Sequence, residues 1–216
     1  MSLSHTVLLL DGEAPSQALL GSLLSEDAFF IVTDGAANTA LSLQAFPSVI
    51  IGDMDSLDPL TSAALPDAAI ITIADQSSND FEKALLYLIE QGRTAELIIL
   101  GLHGKRTDHF LTNLSVLVRL RDSFGTIRII DASQEHRLLT EQHPSVKLTC
   151  PIGAAVSILP LPGSSSVRTI GLLYPLENEA LLFGKREGLS NVVISEHGFT
   201  VEITDGAVLV SFPYQR

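Results

Sequence analysis

Six short apolar runs punctuate roughly the first 130 residues, most of them ending in Asp or Gly. They are VLLL at 7–10, FFIV at 29–32, VII at 49–51, AIITI at 69–73, LIIL at 97–100 and IRII at 127–130. They are too short for helices, rich in Ile and Val, and do not alternate with polar residues. Strands buried on both faces read this way. Helical stretches lie between them. DFEKALLYLIEQG spaces Phe81, Ala84, Leu85, Leu88 and Ile89 along one helix face, with Asn79 or Asp80 as N-cap and Gly92 as the stop. DHFLTNLSVLVRL does the same with Phe110, Leu111, Leu114, Leu117 and Val118. Buried strands alternating with helices predict a doubly wound, mostly parallel α/β domain.

The rhythm changes after that. HRLLTEQ, SVKLTC, AAVSILPL, EALLFG, NVVIS, FTVEIT and AVLVSF are short β-type runs, separated by turn signals such as PIG, LPGSSS, EHG and TDG. No amphipathic helix interrupts them. This predicts a small all-β sandwich or barrel. The boundary is expected near residues 131–145, giving an α/β domain over 1–135 and a β-sandwich over 136–216. The 216 residues are enough for both cores.

Charge and composition narrow the function. The formal net charge is −12, which argues against a nucleic-acid partner, since that needs a basic face. An acidic chain can hold a polyanion only with a local basic cluster or a divalent cation. The one cysteine, Cys150, allows neither a disulfide framework nor a multi-cysteine zinc site within one chain. No run approaches the length of a membrane span, and the first residues lack the pattern of a signal peptide. The expectation is a cytoplasmic protein without a membrane partner.

The polar residues collect where the predicted strands end. In an open parallel sheet that is the edge where ligands bind. FFIV leads to Asp34 and Asn38, and VII leads to Asp53 and Asp55. AIITI leads to Asp75, Gln76 and Asp80, and LIIL leads to Gly101, Gly104, Lys105, Arg106 and Asp108. In an extended segment, Asp53 and Asp55 point to the same side and can address one point in space. Carboxylates that close repel unless one is protonated or a cation sits between them. With Asp80 they form an all-oxygen set that suits magnesium. Aspartates also cap turns and helices; four loops converging on one edge weigh against that as the whole account. In GLHGKRTDH, two cations beside a helix N-terminus read as a phosphate-binding corner. Its spacing matches neither a P-loop nor a dinucleotide fingerprint. His103 and His109 stand open between surface positions and a chemical role. A divalent metal, phosphate-binding cations and acids together point to phosphoryl-type transfer from a nucleotide.

DGAAN (34–38), GDMDS (52–56), DQSSNDFEKAL (75–85), GLHGKRTDHFLTN (101–113), GLLYPLENEALLFG (171–184) and GLSN (188–191), in that order, resemble the thiamine pyrophosphokinase family. The resemblance implies an enzyme, a pyrophosphotransferase with an N-terminal α/β domain and a C-terminal β-sandwich. It implies Mg-dependent transfer of a pyrophosphoryl group from ATP to the hydroxyl of thiamine, giving thiamine diphosphate and AMP. It also implies a homodimer with thiamine held between the subunits. Asp53, Asp55 and Asp80 would hold magnesium, Lys105 and Arg106 the phosphates, and Asp108 would lie near the reacting groups. Asp34 and Asn38 would line the nucleotide side. Gln76, Ser190 and Asn191 would bind the pyrimidine of thiamine, and Tyr174 would stack on a flat ring. Two departures stand out: many members carry Gly in place of Lys105, and SSND replaces the more usual segment before Asp80. No catalytic base is identifiable from the sequence.

Rival readings make different predictions. A haloacid-dehalogenase-type phosphatase would use Asp53 as nucleophile, but Gly52 and the basic loop suit it poorly. A non-catalytic nucleotide or thiamine sensor would bind without releasing AMP. A pterin pyrophosphokinase is the nearest neighbour, and GLSN and GLLYPL favour thiamine over it.

Overall fold

The computed structural model describes residues 5–214. The described backbone forms two compact units that divide between Ala132 and Ser133.

The first unit follows the apolar runs. Its strands are β1 (Thr6–Leu9), β2 (Phe29–Thr33), β3 (Val49–Gly52), β4 (Ala69–Thr72), β5 (Glu96–Leu100) and β6 (Thr126–Ile130). All neighbours pair in parallel, in the order β6-β5-β1-β2-β3-β4. The helices are α1 (Gln17–Leu23), α2 (Asp34–Ser42), α3 (Pro59–Ala64), α4 (Asp80–Glu90) and α5 (Thr107–Leu120). The chain steps outward from β1 to β4, then crosses back to place β5 on the other side of β1. That reversal makes the ends of β1 and β5 a topological switch point, where a crevice opens.

Strands β1, β2, β3 and β5 are almost wholly buried, as expected. β4 is not: it is the outer strand, its residues are largely exposed, and Ile70 is 46% accessible. An apolar run alone does not distinguish an edge strand from a central one. Helix α4 buries Phe81, Ala84, Leu85 and Leu88 as the spacing predicts, and Lys83 with them. The Asn79 side chain accepts the Glu82 N–H, which makes Asn79 the N-cap, a contact worth about 1 kcal/mol. Helix α5 is rotated from its predicted face. Asn113, Val116 and Leu117 are buried, while Leu111 lies in the open. Asn113 is tolerated inside because it accepts a bond from Asn79 Nδ2 at 2.8 Å, tying the first turn of α4 to α5.

The second unit is antiparallel throughout. One layer runs β12 (Gly188–Val192), β9 (Ala155–Pro160), β14 (Ala207–Pro213), β7 (Gln134–Thr140). The other runs β11 (Glu177–Leu182), β10 (Ser164–Ile170), β13 (Phe199–Ile203), β8 (Ser145–Leu148). Residues of both layers share one core, including Val156, Ile158, Val167, Leu181, Phe199, Val201, Val208 and Phe212. This is a sandwich. β10 is the strand that the turn-like LPGSSS concealed. Its hydroxyls are absorbed locally: Ser165 donates to the Ala207 carbonyl and Ser166 to that of Asn178, and Thr169 accepts the Leu176 N–H.

Candidate active site

A cleft of about 420 Å³ opens at the carboxyl ends of five adjacent parallel strands of the first unit. β1 contributes Asp11 and Gly12, and β2 leads straight into Asp34 and Gly35. β3 is followed by Asp53 and Ser56, and β4 by Gln76, Ser78 and the start of α4. β5 is followed by Gly101, Leu102, His103, Lys105 and Arg106. The switch point lies within this wall, where the loops after β1 and β5 meet. There Gly12 approaches the backbone so closely that a Cβ would lie 2.1 Å from the Gly101 carbonyl oxygen. Only glycine permits that approach.

Carboxylate oxygens of Asp34, Asp53 and Asp55 lie within 4.8 Å of one another. Asp34 is 3% exposed and occupies the first position of α2. It accepts the Gly35 N–H at 2.7 Å and the Ser56 N–H at 3.4 Å. Burial pushes its pKa up despite the Gly35 bond, and the charges of Asp80 and Asp53 add to the rise. Asp53 moves the other way. The Gln76 amide donates to it at 2.9 Å, the Asp55 N–H adds a second bond, and the Lys83 charge helps, so its pKa falls. The turn that joins Asp53 and Asp55 is not the extended segment expected, because Met54 has φ 70°. A left-handed residue between them folds the two carboxylates toward Asp34. All-oxygen donors at this spacing suit a hard divalent cation.

Asp80 stands outside that group. Its Oδ1 accepts a bond from Lys83 Nζ at 2.9 Å. Asp34 therefore joins Asp53 and Asp55, where the sequence pointed to Asp80. Asn38 braces the acidic turn rather than lining the cleft. Its amide donates to the Ser56 carbonyl and accepts the Asp58 N–H. Asp75 is held by the backbone N–H and hydroxyl of Ser77 and the hydroxyl of Ser78, which lower its pKa.

At the start of α5, Arg106 forks onto Asp108, with Nε to Oδ1 at 3.1 Å and Nη2 to Oδ2 at 2.5 Å; Arg106 lines the cleft and Asp108 is not among its lining residues. That fork holds the Asp108 pKa down at about 2. Lys105 Nζ donates to Asp11 Oδ1 at 2.6 Å. His103 lies 3.2 Å from Asp131 and meets Phe110 edge-on. Asp11, Lys83 and Asn113 are cleft residues that sequence reasoning passed over. Asp11 had a usable signal, since it ends an apolar run as Asp34 does.

In the second unit, Tyr174, Ser190 and Asn191 come together. The pairing of β12 with β9 shifts register between Gly188 and Asn191, and Ser190 has φ 57°. This is a bulge, a device that re-aims side chains. Asn191 is buried and bonded to the backbone of Tyr174, whose ring is in the open at 66% exposure.

A parallel sheet whose strand ends gather acids and bases around a cleft defines an α/β ligand-binding enzyme site. Comparison with known proteins makes that class specific. Residues 20–129 match the family model for the thiamin pyrophosphokinase catalytic domain, and residues 135–208 that for the thiamin pyrophosphokinase vitamin B1 binding domain. The chain belongs to the thiamin pyrophosphokinase family. Thiamin pyrophosphokinase 1 of Caenorhabditis elegans is 27% identical over 188 residues, 82% of this chain and 76% of that one. Thiamine pyrophosphokinase 1 of Oryza sativa subsp. japonica is 30% identical over 177 residues, 76% of this chain and 64% of the relative. The crystal structure of thiamine pyrophosphokinase from Bacillus subtilis has the same fold. Its TM-score is 0.82 at 21% identity, over 99% of this chain and 100% of that one.

Proposed function

We propose that the chain transfers a pyrophosphoryl group from ATP to the hydroxyl of thiamine, releasing AMP and thiamine diphosphate. The observation that carries the reading is the grouping of Asp34, Asp53 and Asp55 at the strand ends, on a cleft that Lys105 and Arg106 also line. Acids that close call for a cation between them. Magnesium on these carboxylates would neutralise phosphate charge in the transition state.

The residues of the first unit then divide the work. Asp53, Asp55 and Asp34 would hold the ion, and Gln76 orients Asp53 through its 2.9 Å bond. Lys105 and Arg106 leave Asp11 and Asp108 to meet phosphate oxygens. Asp108, ionised at neutral pH even at its ordinary value of 3.8 and released by Arg106, stands ready to orient the attacking hydroxyl. Asp80 would join the ion's surroundings through its other oxygen while Oδ1 keeps its bond to Lys83. In the second unit, Ser190 on its bulge and Tyr174 with its exposed ring offer a hydrogen bond and a flat surface to thiamine. The match of residues 135–208 to a vitamin B1 binding domain supports that division of labour. We assign ATP to the first unit and thiamine binding and dimerisation to the second. Exposed Ile170, Leu173, Tyr174, Phe183, Leu189 and Ile194 support a homodimer that brings thiamine to the subunit interface. The cytoplasm is the proposed compartment. No helix among the described residues is long and apolar enough to cross a membrane.

The test is to incubate the protein with ATP, magnesium and thiamine and to identify both products. AMP formed in step with thiamine diphosphate is the expected result. ADP with thiamine monophosphate would make it a single phosphoryl transfer. No thiamine-dependent product would return the weight to a pterin substrate or a sensor.

A further inference from the structure

Lys83 is the least exposed cation lining the cleft, at 4% exposure, whereas Lys105 and Arg106 lie in the open. It closes the first turn of α4, three residues after its partner Asp80. Taking a cation out of water costs several kcal/mol unless charge and hydrogen bonds offset it. An ammonium group has three hydrogens to donate. Among the described residues, Lys83 Nζ gives one, to Asp80 Oδ1 at 2.9 Å. Its charge also reaches Asp53 and Asp75, lowering the pKa of both. A buried donor with capacity to spare, beside a metal-type acid group and on a cleft wall, is arranged for an anion that brings its own oxygens.

We propose that Lys83 is a polyphosphate-contacting residue: keeping its bond to Asp80, it donates its remaining hydrogens to the phosphate oxygens of a nucleotide in the cleft. This rests on the nucleotide reading above and adds a residue to it. Lys83 stands on α4, away from the loop after β5 that carries Lys105 and Arg106. It therefore grips the polyphosphate from a different wall. The contact is to the phosphates beyond the first, so it separates ATP from AMP.

The experiment compares wild type with Lys83→Met by titration calorimetry, using α,β-methylene-ATP with magnesium and, separately, AMP. The Met variant is expected to lose at least about tenfold in affinity for the triphosphate analogue, equivalent to about 1.4 kcal/mol, and to hold AMP as before. Manganese binding without nucleotide, followed by paramagnetic resonance, is expected to hold or tighten. Unchanged analogue affinity, or an equal loss for AMP, would overturn the proposal. So would a parallel loss of manganese, which would reduce Lys83 to a holder of Asp80. If the Met variant does not fold, Lys83→Arg is titrated instead. Selective loss of the analogue supports the contact and its absence removes it. Product analysis of the wild type separates the two readings. AMP formation with full analogue affinity in the variant leaves the reaction standing and the Lys83 contact refuted. Selective loss in the variant without thiamine-dependent AMP does the reverse.

Discussion

Asn191 and Tyr174 hold each other by a reciprocal pair of bonds. The amide oxygen of Asn191 accepts the Tyr174 N–H at 3.0 Å, and its amide nitrogen donates to the Tyr174 carbonyl at 2.7 Å. The same oxygen also accepts the Val192 N–H at 2.9 Å. Its acceptor capacity is spent and one N–H remains. Asn191 therefore shapes the tyrosine segment more than it can read a ligand. Asn191→Ala leaves part-buried backbone groups of Tyr174 and Val192 without their partner and is expected to cost about 1 kcal/mol of stability. The thiamine KM should rise while the ATP KM stays put. Ser190→Ala should raise the thiamine KM without moving the melting temperature. Melting curves and steady-state kinetics on both variants check this, and equal damage to both substrates would make Asn191 purely structural.

Asp53→Asn tests the acid group. The residue is surface-accessible and its partners are few, so the fold should survive. Turnover should fall by well over about tenfold, with partial rescue at high magnesium. Near-normal turnover would take Asp53 out of the metal site.

Gly52→Ala probes the packing behind that group. A Cβ at residue 52 would lie 2.9 Å from Asp34 Cγ, and the backbone φ of 157° gives it little freedom to turn away. The expected cost is about 1–3 kcal/mol. Weaker metal binding should accompany it, since Asp34 must move. Calorimetric manganese titration and thermal melting would read the two effects separately.

The Arg106 fork sets a pH signature. Asp108 has a folded-state pKa of about 2, below its ordinary value of 3.8. Its favourable contribution is therefore present above the ordinary value and is lost as pH falls through about 2. Arg106→Ala should return the Asp108 titration toward the ordinary value, followed by carboxyl carbon resonances. It should also reduce turnover by about two orders of magnitude if Arg106 meets phosphate. Asp34 behaves in the opposite sense. Its raised pKa means that, without metal, its ionisation opposes folding at neutral pH and that opposition fades as acid protonates it. Metal-free melting of wild type against Asp34→Asn should converge as pH falls, and parallel curves would count against a raised value.

Much of this was legible in the chain. Apolar runs marked every strand of the first unit, and those of β1, β2, β3 and β5 are unbroken because strands covered on both faces need no polar positions. What the runs could not carry was order. β4 reads like β2 yet forms the edge, and only the strand sequence tells them apart. The acids after β2 and β3 were legible because both sit at strand ends. Their grouping was not, since it depends on the left-handed Met54. Lys83 was hidden for the converse reason: a lysine in a helical pattern reads as solvated, and its burial follows from the acids around it. β10 was masked because serine runs signal turns until a neighbouring strand accepts their hydroxyls.

The cleft keeps its charges in couples: Lys83 with Asp80, Lys105 with Asp11, Arg106 with Asp108. On the proposed reading, Lys105 and Arg106 set Asp11 and Asp108 free as they turn to phosphate oxygens, while Lys83 keeps Asp80. Nucleotide entry would then be an exchange of partners, releasing negative charge near the acid group of Asp34, Asp53 and Asp55. By linkage the effect runs both ways: magnesium must tighten nucleotide by the same factor by which nucleotide tightens magnesium. In a chain of net charge −12, such reciprocity would make the metal–nucleotide pair, rather than either partner alone, the ligand that the proposed reading assigns to the cleft.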